Sequence, residues 1–207
     1  YREDIWHLVK NPFQKTTYLL VVATIPTVIA ALLFSDIIDQ TFGTGNYIGI
    51  NFMITAAILL YADTRKKGFK KIKDMAYSGA VVIGVMQGIA ICPAISRSGM
   101  TISGALARNL NRNSAARFSF LLSIPAILGA MTLTLKDIVT GGDPGLAEIG
   151  ALPIIVGFIF AAVSGFLAIK FMISVVNRGK LKYFSLYVFI LGILLTIDQF
   201  ATHIIYA

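Results

Sequence analysis

The residues best suited to chemistry lie between positions 90 and 101, in the middle of an apolar stretch. This segment reads Ala-Ile-Cys-Pro-Ala-Ile-Ser-Arg-Ser-Gly-Met-Thr, so Arg97 has a serine on each side, Ser96 and Ser98. An arginine near the centre of a bilayer costs roughly 2.5–3.5 kcal/mol on insertion scales and is by default a candidate functional residue. A guanidinium beside hydroxyl groups binds anions, and its fork of donors suits phosphate best. The segment is therefore a candidate phosphate-binding site.

The same segment also predicts the course of the backbone. Pro93 ends the helix before it, because proline has no N–H to donate and clashes with the preceding turn. Serine is a good N-cap, so Ser96 and Gly99 favour the start of a new helix whose free amides would join the anion site. The alternative is a loop arginine neutralised by a structural carboxylate. It is disfavoured because no Asp or Glu lies between Asp74 and Asp137.

The composition is that of an integral membrane protein. The 207 residues are 57% hydrophobic and only 14% charged, with a mean hydropathy of +0.78, whereas soluble domains are about 25% charged. The single cysteine, Cys92, excludes an internal disulfide and a cysteine metal cluster. In its apolar setting we expect Cys92 to be a small buried residue.

Hydropathy divides the chain into spans and one interrupted segment. A membrane-spanning helix needs about 20 residues. The segment 75–110 is apolar but broken at Pro93, and its halves, 77–90 and 99–107, would rise only about 21 and 13 Å. We therefore predict a re-entrant hairpin at 75–110, loops at 35–46 and 136–148, and a single all-α membrane domain over 1–207. The predicted spanning helices are five: 17–34, 47–62, 114–135, 149–176 and 184–205.

The basic residues support this topology. With 75–110 re-entrant, sixteen of the eighteen lysines and arginines fall on one face, and Lys136 alone falls on the other. The positive-inside rule then places the N-terminus in the cytoplasm and the C-terminus outside. The formal charge of +8 is thus explained without nucleic acid. The lysine-rich run at 63–74 could also bind anionic lipid heads, although a topology signal is the preferred interpretation.

A weak internal echo suggests an inverted repeat. The segment 23–30, around Pro26, resembles the segment 150–157, around Pro153, and the two helices run in opposite directions. A competing echo around Pro125 relates two helices of the same direction. Broken helices often accompany inverted repeats, with the site at the repeat interface. Under the first echo, the counterpart of Arg97 would precede Tyr1, so we expect that the chain lacks an N-terminal part of the natural protein.

These residues resemble a known family, the undecaprenyl-diphosphate phosphatases, also called bacitracin-resistance proteins. The family's second signature is a Pro-Gly-x-Ser-Arg-Ser-Gly loop with a glutamine about ten residues before the arginine and a threonine after the loop. Ala94 stands where the family has glycine, so a positive φ at this position would cost energy. The matching residues here are Gln87, Pro93, Ser96, Arg97, Ser98, Gly99 and Thr101, and the flank 116–125 is also similar.

The resemblance implies a fold of six spans and two re-entrant pairs, of which this chain would hold five spans and the second pair. It implies hydrolysis of undecaprenyl diphosphate, a lipid carrier for cell-wall polymers, with a divalent metal (Mg²⁺ or Ca²⁺) and a site opening outward from the plasma membrane. Residues 1–15 do not match the family's first signature, which has two glutamates and a Pro-Val-Ser-Ser-x-Gly-His stretch. The metal ligands and the nucleophile or base are expected from that signature, so none is assigned here.

By the same resemblance, Arg97 clamps the diphosphate, and Ser96 and Ser98 complete the expected catalytic group. The expected phosphate ligands are Thr101, Gly99 and Gln87, although packing is an equal alternative for Gln87. The expected partners are a polyprenyl diphosphate and membrane lipids, with no nucleic acid and no assigned oligomeric state.

Three rival functions share some of these features. A lipid phosphatase of the class with a histidine six residues after its Ser-Arg pair is excluded, because position 103 is serine. A transporter or flippase of polyprenyl phosphate fits the broken helices equally well. A non-catalytic remnant is the third alternative, because the first signature has no match.

Overall fold

The computed structural model describes residues 1–44, 47–65, 68–140 and 151–202, and within these ranges the secondary structure is helical apart from one isolated bridge. The predicted all-α class is confirmed. A short 3₁₀ turn, Ile72–Asp74, and a π-helical turn, Asp198–Thr202, accompany the α-helices. The helices are α1 (Arg2–Lys10), α2 (Lys15–Thr44), α3 (Ile48–Thr64), α4 (Tyr77–Ile89), α5 (Arg97–Ala107), α6 (Arg112–Val139), α7 (Ala151–Asn177) and α8 (Leu181–Ile197).

Four of these helices are long and apolar enough to cross a membrane, which makes this a multi-pass membrane protein. They correspond to the predicted spans 17–34, 114–135, 149–176 and 184–205. The predicted span 47–62 corresponds to α3, which has 17 residues and rises about 25 Å, less than the ~30 Å hydrocarbon core. The fifth span therefore stays a prediction. The four candidate spans are Lys15–Phe34, Arg112–Lys136, Leu152–Asn177 and Leu181–Phe200.

Two predicted loops are wrong in their boundaries. The predicted loop 35–46 is helical as far as Thr44, because α2 runs on past Phe34. Hydropathy falls there, but no proline or glycine lies between Phe34 and Gly43 to interrupt the helix. In the same way α6 continues to Val139, into the predicted loop 136–148. Residues 141–150 and the predicted helix end at 203–205 lie outside the described residues.

The predicted helix, break and helix within 75–110 are confirmed. Helix α4 ends at Ile89, and α5 begins at Arg97. The segments that flank this pair meet each other: the N–H of Lys70 donates to the carbonyl of Asn109 (3.1 Å), and the N–H of Asn111 donates to the carbonyl of Lys70 (3.0 Å). The chain therefore enters α4 and leaves α5 at the same end of the molecule.

Helix α4 is fixed against α2 by close backbone approach. A Cβ on Gly84 would overlap the carbonyl oxygen of Ala23, and a Cβ on Gly88 would lie 3.0 Å from the Cβ of Ala30. Small residues allow this approach between membrane helices, which lack a hydrophobic driving force for association within lipid. Gly84 and Gly88 are one turn apart, so one face of α4 contacts α2.

Helix α3 packs along α8 and also contacts α5. A Cβ on Gly49 would overlap the Thr196 hydroxyl, and the buried Ser185 hydroxyl donates to the carbonyl of Ala56 at 2.7 Å. The end of the molecule that carries the basic segments 63–74 and 108–117 is called the basic end. There, Asp63 accepts from the Arg112 guanidinium (3.4 Å) and from the N–H of Leu181 (3.3 Å). These contacts fix α3, α6 and α8 relative to one another.

We expect Gly84→Ala to destabilise the protein, because the added methyl group meets the backbone of α2. Overpacking of this kind costs about 1–3 kcal/mol. The temperature at which half of the detergent-purified protein leaves the monodisperse peak should fall by several degrees. Gly157→Ala is the matched control, since nothing lies within 4 Å of its added Cβ, and equal stability of the two variants would contradict the described α2–α4 packing.

Candidate phosphate-binding site

The break between α4 and α5 is built on a tight turn. The N–H of Ile95 donates to the carbonyl of Cys92 at 3.2 Å, and Ala94 has a φ of +65°. Proline at the second position and a positive φ at the third are features of a type II turn. Ala94 therefore has the positive φ at which alanine costs energy and glycine does not.

Ser96 caps α5, as its sequence position predicts. Its Oγ accepts from the N–H of Gly99 at 3.1 Å, and its carbonyl accepts from the N–H of Met100 at 2.9 Å. Gly99 is buried, and a Cβ there would lie 2.9 Å from the Ser96 Oγ and 3.3 Å from the Cδ2 of Leu59. The glycine thus allows the cap to close over the first turn.

Helix α3 holds the break through two polar side chains one turn apart. The Asn51 amide donates to the carbonyl of Pro93 at 2.8 Å. The Thr55 hydroxyl donates to the carbonyl of Ala94 (3.3 Å) and accepts from the N–H of Ser96 (3.1 Å). The partner of Asn51 is thus a carbonyl of the turn.

Thr55 was missed by sequence reasoning. Its available signal was a polar pair at i and i+4, Asn51 and Thr55, inside an otherwise apolar helix. Such a pair lies on one helix face and marks a polar neighbour.

The first turn of α5 offers an unused set of hydrogen-bond donors. The N–H groups of Arg97 and Ser98 have no acceptor among the described residues, as is usual at a helix N-terminus. The Ser98 hydroxyl and the Arg97 guanidinium likewise lack a partner in the described chain, and Arg97 is exposed at the protein surface. The alternative of a structural carboxylate neutralising Arg97 therefore finds no support in this part of the chain. Two amides, a hydroxyl and a cation suit an anion.

The structure places Thr101 beneath this turn. It is 1% exposed, and its hydroxyl contacts the carbonyls of Arg97 (3.0 Å) and Ser98 (3.2 Å) and the Ser119 hydroxyl (2.5 Å). Thr101 thus ties the first turn of α5 to α6. Its expected role as a phosphate ligand stays a prediction.

Gln87 is also buried, at 1% exposure. Its amide donates to the Thr27 hydroxyl of α2 at 3.1 Å, and its Oε1 has no partner in the described structure. These contacts favour the packing alternative, and the expected ligand role again stays a prediction. The expectation that Cys92 is buried is wrong: it is exposed, because it lies at the corner of the turn rather than on a packed helix face.

The residues at the break do not by themselves fit a divalent metal. Mg²⁺ and Ca²⁺ prefer carboxylate and carbonyl oxygens, whereas the first turn of α5 presents N–H groups, hydroxyls and the positive charge of Arg97. No group of three or more His, Cys, Asp or Glu side chains placed to hold a metal occurs among the described residues.

The chain is similar to one known protein family over most of its length. The sequence profile described as "Bacitracin resistance protein BacA" matches residues 1–194, which include the whole break. The chain belongs to the BacA family.

The BacA relatives cover nearly all of this chain. An "Undecaprenyl-diphosphatase" of Carboxydothermus hydrogenoformans is 47% identical over 97% of this chain and 77% of the relative. An "Undecaprenyl-diphosphatase 4" of Bacillus cereus is 46% identical over 97% of this chain and 76% of the relative. An "Undecaprenyl-diphosphatase" of Alkaliphilus metalliredigens is 41% identical over 89% and 66%, respectively.

We expect Ala94→Gly to stabilise the protein by about 1 kcal/mol, because the left-handed region costs an L-residue roughly 1–2 kcal/mol, partly offset by the greater freedom of glycine when unfolded. Thermal unfolding in detergent is the measurement. Ala105→Gly, inside α5 at negative φ, should instead destabilise, and a loss of stability in both variants would contradict the turn geometry.

We expect Thr55→Val to destabilise the break by about 1–3 kcal/mol, because the carbonyl of Ala94 and the N–H of Ser96 lose their shared partner. The control is Thr132→Val, since the exposed Thr132 hydroxyl bonds only within its own helix. Thermal unfolding of both variants in detergent decides the matter, and equal stability would mean that α3 does not hold the break.

Proposed function

We propose that this chain hydrolyses undecaprenyl diphosphate to undecaprenyl phosphate and inorganic phosphate at the break between α4 and α5. Membership of the BacA family supports this assignment, as do relatives named undecaprenyl-diphosphatase at 41–47% identity over most of the chain. The single observation that carries the location is Arg97, unpaired within the described chain at the capped N-terminus of α5. The reaction recycles the lipid carrier for cell-wall polymer synthesis.

The chain's own residues bind the diphosphate and stabilise charge. In phosphoryl transfer, water attacks the terminal phosphorus and the anhydride P–O bond breaks, so negative charge develops on the phosphoryl and leaving oxygens. Arg97 is placed to neutralise this charge, and the N–H groups of Arg97 and Ser98 are placed to donate to the oxygens. Preorganised donors of this kind are the main catalytic device for such reactions.

The two serines of the proposed catalytic group differ in availability. Ser98 has a free hydroxyl within the described structure, whereas the Ser96 oxygen already accepts from the N–H of Gly99. The Ser96 hydroxyl proton remains able to donate to a phosphate oxygen while its oxygen caps α5. We assign no nucleophile and no general base among these residues, because neither serine has a histidine or carboxylate partner in the described contacts. The expected Mg²⁺ or Ca²⁺ stays a prediction, and no step is routed through it.

The topology that we propose has five spans and a re-entrant 75–110 hairpin. It is supported by the contact between the segments that flank α4 and α5. It is also supported by the lengths of these two helices, 13 and 11 residues, which rise about 20 and 17 Å. The positive-inside rule puts the basic end in the cytoplasm. The break lies at the other end of α5, so the site would open to the outer side of the plasma membrane.

We expect Arg97→Ala to lower kcat/KM for release of phosphate from undecaprenyl diphosphate by about 10²–10³-fold, the usual cost of removing a transition-state donor. Arg97→Lys should recover only part of the activity, because lysine lacks the bidentate fork. Arg65→Ala is the control, since Arg65 lies beyond the other end of α3. Wild-type activity in Arg97→Ala would refute the site, and no phosphate release by the wild-type protein with Mg²⁺ or Ca²⁺ would leave the transporter and the non-catalytic remnant as the alternatives.

We expect Ser98→Ala to lower kcat/KM by about 10- to 150-fold, because one hydrogen bond to a charged phosphate oxygen contributes roughly 1.5–3 kcal/mol. The thermal stability should not change, since the Ser98 hydroxyl has no described protein partner. A variant with full activity would remove Ser98 from the catalytic group.

A further inference from the structure

A polar cavity lies at the basic end of the molecule, away from the break. Its volume is about 450 Å³, and it lies between α1, the start of α2, the segment 71–73 and the first turns of α6. Three cations line it, Lys71, Lys73 and Arg117, against one carboxylate, Asp4. Asp4 is paired with Arg117, so the two lysines, which form no described ion pair, give the cavity its positive charge.

The start of α6 adds to this potential. Asn111 accepts the N–H of Ser114 at 2.8 Å and so caps the helix, and both residues line the cavity. The N-terminal end of a helix carries a partial positive charge. The cavity is therefore suited to an anion.

An apolar groove adjoins the cavity. Its volume is about 440 Å³, and it runs along α2 beside Pro125 of α6. Leu8 lines both the cavity and the groove, and the neighbouring residues Thr16 and Thr17 line one each. The groove therefore begins where the cavity ends, on the surface of two helices long enough to span the membrane.

One polar atom on the groove wall lacks a partner. The Thr17 hydroxyl oxygen is buried and makes no hydrogen bond within the described structure, whereas the Thr24 hydroxyl, also on the wall, donates to the carbonyl of Leu20 at 2.8 Å. Buried polar groups are normally satisfied. Thr17 lies at the junction with the cavity, where the ester carbonyls of a lipid would lie next to its headgroup.

We propose that the cavity and the groove together form a binding site for an anionic glycerophospholipid, with the phosphate headgroup in the cavity and one acyl chain in the groove. A soluble anion has no acyl chain to fill the groove, and a zwitterionic lipid would place its own cation next to Lys71 and Lys73. Anionic lipids are enriched in the cytoplasmic leaflet, and the positive-inside rule places this end of the molecule at that leaflet. The inference rests on the membrane character of the chain and not on hydrolysis.

The test is native mass spectrometry of the detergent-purified chain with added phosphatidylglycerol or phosphatidylcholine. We expect one tightly retained phosphatidylglycerol and no retained phosphatidylcholine. Lys71→Gln with Lys73→Gln should weaken retention about 25-fold, because each lysine near an anionic lipid contributes about fivefold. Lys10→Gln with Lys182→Gln removes the same charge outside the cavity and should leave retention within about twofold, since separated surface charges are screened.

A second pair of variants tests the groove. Val21 lines it and is half exposed, so Val21→Trp should fill the groove without disturbing the fold and abolish phosphatidylglycerol retention. Ile155→Trp, on the exposed surface of α7, is the control. Equal retention of both lipids, equal losses in the two lysine pairs, unchanged binding in Val21→Trp, or equally strong competition by inorganic phosphate would each overturn the lipid site.

Discussion

The site depends on hydrogen bonds that α3 makes to the break between α4 and α5. A helix that stops inside a membrane exposes backbone groups that lipid cannot satisfy, so protein must satisfy them. Asn51 and Thr55 do this for two carbonyls and one N–H of the break. Because these groups are satisfied by protein, the next two N–H groups, those of Arg97 and Ser98, are left for a ligand.

Contacts away from the break hold α3 and α4 in place. The glycines of α4 bring that helix against α2, and the glycine contacts of α3 bring it against α8. Asp63 and Arg112 join the far ends of α3 and α6. The break lies at one end of α5 and the basic segments lie at the other, about 17 Å away for 11 residues. The basic end is held by the ion pair of Asp63 and Arg112, whereas Arg97 at the break has no ion-pair partner among the described residues.

The sequence predicted the parts of this arrangement that local chemistry decides. The break at Pro93 and the Ser96 cap each follow from the preferences of one residue, and both were predicted correctly. Thr55, the burial of Thr101 and the exposure of Cys92 depend on which helix faces the break, and a single sequence does not contain that information. The predicted end of α2 was wrong, because hydropathy marks where lipid ends and not where a helix ends.

Our proposal is that Arg97 binds the diphosphate of a polyprenyl lipid at a turn that faces outward. The exposed Cys92 lies in that turn and is the only cysteine in the chain. The most direct test is its reaction with a membrane-impermeant maleimide in intact cells, with Cys92→Ser as the unlabelled control. If the turn faces outward and binds the diphosphate, the maleimide should label Cys92 in intact cells, and undecaprenyl diphosphate should slow this labelling. Labelling that requires permeabilised cells, or that undecaprenyl diphosphate leaves unchanged, would contradict the proposal.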